Sequence, residues 1–291
     1  MTVSRVEERA HAKINLWLEV LGRRDDGFHE LETIMHEVDL ADRVTVERMS
    51  EGVSLAVDDP TLPIGEENLV LRAVRALEKE VGRPLPCHVT LEKHIPAGGG
   101  LGGGSSDGAA VLRALRRLYD LSLEDSDLER VAAEFGSDTS FFIQGGTAYC
   151  RGRGERIEHH AGPRAALDWV LIFPGFPIAT ASVFGALSLT ESPREGYDIL
   201  SILERRDVDS LRHRLFNRLE EPVRRLHPRI AQWLDAMAGR GLRVSGSGST
   251  LFMLADDAAE AESLVKEIEE RWGLTALATR SAPTRQRPST E

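Results

Sequence analysis

The sequence is poor in cysteine, in lysine, in aromatic side chains and in net positive charge. Its two cysteines, Cys87 and Cys150, are too few for a disulfide framework or a four-thiolate zinc site. A cytoplasmic setting is the resulting expectation. No apolar run nears the roughly 20 residues that span a bilayer. The opening residues hold no apolar core of a secretory leader, so neither a membrane partner nor export is expected. With 36 Lys and Arg against 47 Asp and Glu, the net charge of −11 disfavours nucleic acid as a partner, since such proteins present basic surfaces. A phosphate ligand on this chain has to be met locally, by backbone N–H groups and a few cations. Only Lys13, Lys79, Lys93 and Lys266 are lysines; the other 32 cationic side chains are arginines. A lysine kept among so many arginines marks a place where a compact ammonium is useful. Lys79 and Lys266 sit on helix-like faces and read as surface. No heptad pattern or self-complementary strand specifies an oligomeric state.

What the 291 residues do contain is the composition of a globular protein, 41% hydrophobic and 29% charged. Residues 43–48 and 53–57 alternate with period two and predict half-buried strands. Asn68 predicts a helix cap, with the helix running to about Val81 before Gly82 and Pro84 stop it. Residues 88–95 predict a strand that feeds a glycine-rich loop. The spacing of Leu112, Leu115 and Leu118 predicts a helix starting near Ser105 or Ser106. A helix over about 127–135 leads to Gly136-Ser137-Asp138. Further on, a strand is predicted at 169–173, helices at 181–188, 197–205 and 222–238, a strand pair flanking 245–249, and a helix from about Asp257 to Trp272. Strands and helices mix without strict alternation, which favours α+β. The domain boundary is expected at 162/163, the second domain ending at 280 and a disordered polar tail covering 281–291.

Six of the seven residues from Gly98 to Gly104 are glycine. That density costs folding entropy which an ordinary turn does not require. Without Cβ atoms, successive N–H groups can point into one concavity, and the following helix adds its free N–H groups and positive dipole end. The result is an anion site suited to polyphosphate. Ser105 and Ser106 supply hydroxyls for a phosphate oxygen or a magnesium ion. A Walker loop needs Lys after its last glycine, where this chain has Ser105. The dinucleotide pattern fits Gly98, Gly100 and Gly103, yet Asp120, about the right distance on, ends a helix rather than a second strand.

The segment Pro96-Ala97-Gly98-Gly99-Gly100-Leu101-Gly102-Gly103-Gly104-Ser105-Ser106 resembles the second motif of the galactose, homoserine, mevalonate and phosphomevalonate (GHMP) kinases. Ala12-Lys13-Ile14-Asn15-Leu16 resembles their first motif and Ser245-Gly246-Ser247-Gly248-Ser249 their third, in the right order. Gly27-Phe28-His29-Glu30-Leu31 and Gly136-Ser137-Asp138 followed by Phe141-Phe142 resemble one branch most closely, the kinases of 4-diphosphocytidyl-2-C-methyl-D-erythritol. The similarity runs from about residue 10 to residue 280.

The resemblance implies a two-domain α+β fold, the N-terminal domain like ribosomal protein S5 domain 2 and the C-terminal one ferredoxin-like. It implies ATP as co-substrate, Mg2+ as its companion, and a tertiary hydroxyl as phosphoryl acceptor. Asp138 becomes the expected base and Lys13 the cation that favours the alkoxide. The loop from Pro96 to Ser106, with Asn68 and Lys93, is expected to hold ATP. Phe28 and Phe184 are expected to sandwich cytosine, with His29 at its edge and Asn15 and Thr180 on the substrate side. Phe28 replaces the commoner Tyr, Asp107 replaces Asn, and Ser137 with Thr139-Ser140 replace Ala and Val-Pro. Asp107 reads as a helix cap. Another GHMP kinase, of homoserine or mevalonate type, and a non-catalytic nucleotide-binding regulator are the competing readings.

Overall fold

The computed structural model describes residues 3–163, 165–283 and 285. These form two compact units that interleave along the chain. Unit 1 draws on Met1–Ala12, Leu40–Pro96 and Gly102–Gln144; unit 2 draws on Lys13–Asp39, Ala97–Leu101 and Gly145–Glu291, each within the described residues. Two long strands, β1 (Arg5–Arg23) and β2 (His29–Arg48), contribute to both. Their apolar residues do not alternate cleanly, because Ala10 to Val20 and Ile34 to Val38 are buried on both faces. Period-two reading therefore found only the last stretch of β2.

In unit 1, β3 (Val53–Val57) runs parallel to β4 (Cys87–Glu92). Strand β4 pairs antiparallel with β2 from Arg43↔Glu92 to Arg48↔Cys87. Helix α1 (Leu69–Val81) opens at Asn68, whose Oδ1 accepts from the Val70 amide at 2.9 Å, and closes at Gly82 with φ +67°. Both ends match the sequence signals. Helix α2 (Gly103–Leu118) starts two residues before Ser105, because Gly102 at φ +73° turns the chain directly into the helix. It is the buried spine of the unit: Val111, Leu112, Ala114 and Leu115 are fully covered. Helices α3 (Asp125–Ala132) and α4 (Phe141–Gln144) pack beside it.

In unit 2, β5 (Thr147–Gly152) pairs antiparallel with β2 from Leu31↔Gly152 to His36↔Thr147, and β6 (Arg156–His160) extends that ladder. After β7 (Asp168–Phe173) come α5 (Thr180–Gly185), α6 (Asp198–Arg205) and α7 (Val208–Arg214). The short β8 (Phe216–Asn217) runs parallel beside β1. The predicted helix 222–238 is two helices, α8 (Glu220–Leu226) and α9 (Pro228–Ala236), since Pro228 has no N–H to continue the first. A second, antiparallel sheet in the order β11-β7-β10-β9 joins β9 (Arg243–Val244), β10 (Leu251–Ala255) and β11 (Thr275–Arg280). Helix α10 (Ala258–Trp272) is capped by Asp257 and packs on this sheet. Val170, Ile172, Leu251, Met253, Ile230 and Leu264 fill the core.

The tail expected from Ser281 does not begin there. The Ser281 amide donates to Leu167 O at 2.8 Å, the Ala282 amide to Glu37 O at 3.0 Å, and Arg285 pairs with Glu37 at 2.7 Å. Polar composition cannot register such pairings, whose partners lie more than a hundred residues away. The rest of the tail, 284 and 286–291, lies outside the described residues.

Candidate active site

The three motifs are brought together within unit 2, and a single carbonyl joins them. Lys13 and Asn15 point to the same face of β1 because side chains repeat every second residue. Both are buried. The Lys13 ammonium donates to Asn15 Oδ1 at 2.6 Å and to Gly100 O at 3.0 Å. Ser245 Oγ donates to that same Gly100 O, also at 3.0 Å. Asn15 is fixed from behind: its Nδ2 donates to Thr33 Oγ1 at 2.9 Å, and the Thr33 hydroxyl donates to Trp17 O at 2.7 Å. The third turn is fixed by Asn217, whose Nδ2 donates to Val244 O and Gly246 O at 2.8 and 2.7 Å. Thr33 and Asn217 carry no motif signal, and sequence reading missed both.

Glycine is required where the loop and the third turn meet. Gly100 has φ +77°, and a Cβ there would stand 2.1 Å from Ser245 O. Gly98, Gly100 and Gly102 take positive φ while the residues between them do not. This alternation turns neighbouring N–H groups toward one side, the arrangement that binds anions. The Thr250 amide donates to Gly99 O at 3.1 Å and holds the loop from outside.

The expected cytosine-binding residues are arranged differently from the sequence reading. It is His29 that lies on Phe184, ring centroids 4.9 Å apart and planes 28° from parallel. Phe28 is half exposed, with the Arg153 guanidinium 5.0 Å from its ring centroid. His29 is thus a flat partner of Phe184. Partial burial, helped by the nearby Arg23 charge, holds its pKa below the ordinary histidine value, which favours the neutral ring. Thr180, the first residue of α5, shares a 2.8 Å hydrogen bond with Ser247 of the third motif.

Unit 1 holds the other expected residues. Asn68 spends both polar atoms locally: Oδ1 caps α1 and Nδ2 donates to Pro63 O at 2.7 Å. Lys93 is not directed to solvent. Its ammonium lies between Asp42 and Asp107, 2.7 Å from Asp107 Oδ2. Asp107 is therefore an ion-pair partner inside α2 rather than the helix cap the sequence suggested; Gly102 occupies the cap position. Ser106 Oγ is buried with no hydrogen-bond partner among the described residues. Asp138 stands in the turn between α3 and α4. A Cβ at Gly136 would lie 2.2 Å from Thr139 Oγ1 and 3.6 Å from Ser105 Oγ, so this turn rests beside the first turn of α2.

The comparisons with known proteins agree with this geometry. Residues 68–146 match the GHMP kinases N terminal domain, and residues 199–274 match the GHMP kinases C terminal family. A 4-diphosphocytidyl-2-C-methyl-D-erythritol kinase of Shouchella clausii is 40% identical over 266 residues, covering 89% of this chain and 88% of its own length. One from Pelotomaculum thermopropionicum is 37% identical over 261 residues, covering 88% of this chain and 91% of itself. A crystal structure of a 4-(cytidine 5'-diphospho)-2C-methyl-D-erythritol kinase superposes with TM-score 0.79 at 36% identity, covering 96% of this chain and all of that one. Homoserine kinase from Cytophaga hutchinsonii shares the fold, with TM-score 0.77 at 18% identity, 98% of this chain and 97% of that chain being covered. With identity of this order over nearly nine-tenths of its length, and with Lys13, Gly100 and Ser245 locked together, the chain belongs to the GHMP kinases and, within them, to the 4-diphosphocytidyl-2-C-methyl-D-erythritol kinase family.

Proposed function

We propose that the chain transfers the γ-phosphoryl group of ATP to the 2-hydroxyl of 4-diphosphocytidyl-2-C-methyl-D-erythritol, in the non-mevalonate route to isopentenyl diphosphate. The observation that carries this reading is the Gly100 carbonyl, which ties the first, second and third kinase motifs to one point. The new bond forms between the acceptor oxygen and the γ-phosphorus, the bond from the γ-phosphorus to the β–γ bridging oxygen breaks, and ADP leaves. The acceptor proton goes to Asp138. A tertiary alcohol is a weak and crowded nucleophile, so a base, a nearby cation and alignment together supply most of the acceleration. Lys13 supplies the cation, oriented by Asn15 and Gly100.

The loop from Pro96 to Ser106 receives the phosphate chain, with Asn68 shaping the adenine side through the start of α1. Phe184 and His29 receive the cytosine, Phe28 offers its open face, and Asn15 and Thr180 address the polar part of the acceptor. The residues present fit Mg2+: Ser106 contributes a hard, unpartnered oxygen, and no cluster of three carboxylate, imidazole or thiol side chains occurs among the described residues. Such a site suits an ion that keeps its waters and binds mainly through substrate phosphates. Mg2+ held there with the phosphates would offset their charge during transfer.

No helix among the described residues is long and apolar enough to cross a membrane. Cys87 and Cys150 are both buried, and no disulfide joins them. We place the enzyme in the cytoplasm, with small molecules rather than nucleic acid as its partners. Incubation with γ-labelled ATP and the cytidyl acceptor, followed by NMR of the product, tests the reaction. Label on the 2-hydroxyl is expected, and label on any other position excludes the proposed chemistry.

A further inference from the structure

The chain leaves β4 at Glu92, passes Lys93, His94 and Ile95, makes the glycine loop, and enters α2 at Gly103. Three side chains of unit 1 meet where the loop begins and where it ends. Asp42, fully buried on β2, accepts from the His94 and Ile95 amides through Oδ1 and from Lys93 through Oδ2. The Lys93 ammonium also donates to Asp107 Oδ2 on α2 at 2.7 Å. Its side chain is only 8% exposed. A Cβ at Gly103 would lie 3.0 Å from Ile95 Cγ2 and 3.5 Å from Lys93 Nζ, so the first turn of the helix rests directly on the segment that precedes the loop.

We propose that Lys93, Asp42 and Asp107 form an ionic clamp that fixes both ends of the glycine loop in the shape that receives a polyphosphate. Lys93 is thereby a positioning residue, not a contact to adenine. The inference rests on the reading of residues 96–106 as the ATP loop. Its physical basis is the cost of buried charge: the ammonium cannot swing toward a base without leaving two buried carboxylates uncompensated, an arrangement that is strongly destabilising. The balance of charge agrees. Burial pushes the Asp107 carboxyl well above the usual range, against the pull of Lys93. Burial opposes the Lys93 charge, yet the two carboxylates carry its pKa above the ordinary value.

Isothermal titration of the full chain with ATP and with inorganic tripolyphosphate separates a clamp from a base contact. The clamp predicts that Lys93→Met weakens both ligands by the same factor, at least about tenfold, the order that a misplaced binding geometry costs. Asp42→Asn, which leaves the ammonium present and is nearly isosteric, is expected to weaken both as well, and it serves alone if Lys93→Met does not fold. In turnover the KM for ATP rises in each variant, while kcat at saturating ATP changes far less. Hydrogen exchange of the unliganded variants is expected to be faster at the amides of residues 97–104. Loss of ATP affinity in Lys93→Met with tripolyphosphate unaffected assigns Lys93 to the base and overturns the clamp. Unchanged exchange at 97–104 in the folded variants also overturns it, whatever acceptor the enzyme turns over.

Discussion

At the scale of single residues, Lys13 and Asp138 carry the proposed chemistry, and their environments determine how each is to be tested. Lys13 donates to Asn15 and to the Gly100 carbonyl, so its removal disturbs the loop as well as the charge. Asp138→Asn is expected to keep ATP binding and to lower kcat by about a hundredfold or more, the usual scale for losing a general base. Unchanged turnover would remove Asp138 from proton transfer. Phe184→Ala is expected to raise the KM for the cytidyl acceptor about tenfold through lost stacking, with the KM for ATP unaffected. An equal rise in both constants would mean that the variant had disturbed more than the base pocket. Lys13 and Asp138 were singled out because they sit in motifs. Thr33, Asn217 and Asp42 were not, because each works through hydrogen bonds to partners distant in sequence. The stack of His29 on Phe184 was missed for a related reason: sequence shows which flat side chains are present, not which faces meet.

At the scale of elements, what was legible followed from local rules. Asn68 and Gly82 bracket α1, Asp257 opens α10, and the strand at 53–57 alternates as a half-covered strand should, whereas Val44, Thr45 and Val46 in the stretch 43–48 are all buried. What was not legible followed from burial on two faces, as in β1, or from a helix interrupted by Pro228. The glycine loop lies between these cases: its composition raised the expectation of an anion site, but only the structure shows why particular glycines are needed. Gly100→Ala is expected to cost more than about 1 kcal/mol in folding stability, because φ is positive and the new methyl would meet Ser245 O. It is also expected to raise the KM for ATP. Urea denaturation and steady-state kinetics check both, and an unchanged denaturation midpoint would contradict the close approach of the two turns.

At the scale of the whole molecule, one buried histidine links stability to pH. His36 is fully enclosed, its ring nitrogens 2.8 Å from Thr147 Oγ1 and 2.8 Å from Ser281 Oγ, and burial holds its pKa down at about 4. In the unfolded chain the same ring titrates near about 6.5. Below that pH the unfolded state takes up a proton that the folded state refuses. Stability is therefore lost as pH falls from about 6.5 toward about 4, and this histidine adds no pH dependence above that window. Between pH 7 and pH 5 the wild-type chain is expected to lose about 2 kcal/mol more than His36→Gln. Equal losses by urea denaturation would show that the ring is not held neutral. The acidic net charge and the arginine-rich surface set no substrate by themselves. Substrate choice is proposed to rest on Phe28, His29 and Phe184 of unit 2, and one comparison of acceptors addresses it most directly. Measured kcat/KM with ATP and 4-diphosphocytidyl-2-C-methyl-D-erythritol, mevalonate or homoserine is expected to show turnover of the cytidyl compound alone, whereas turnover of only mevalonate or homoserine would contradict the proposed function.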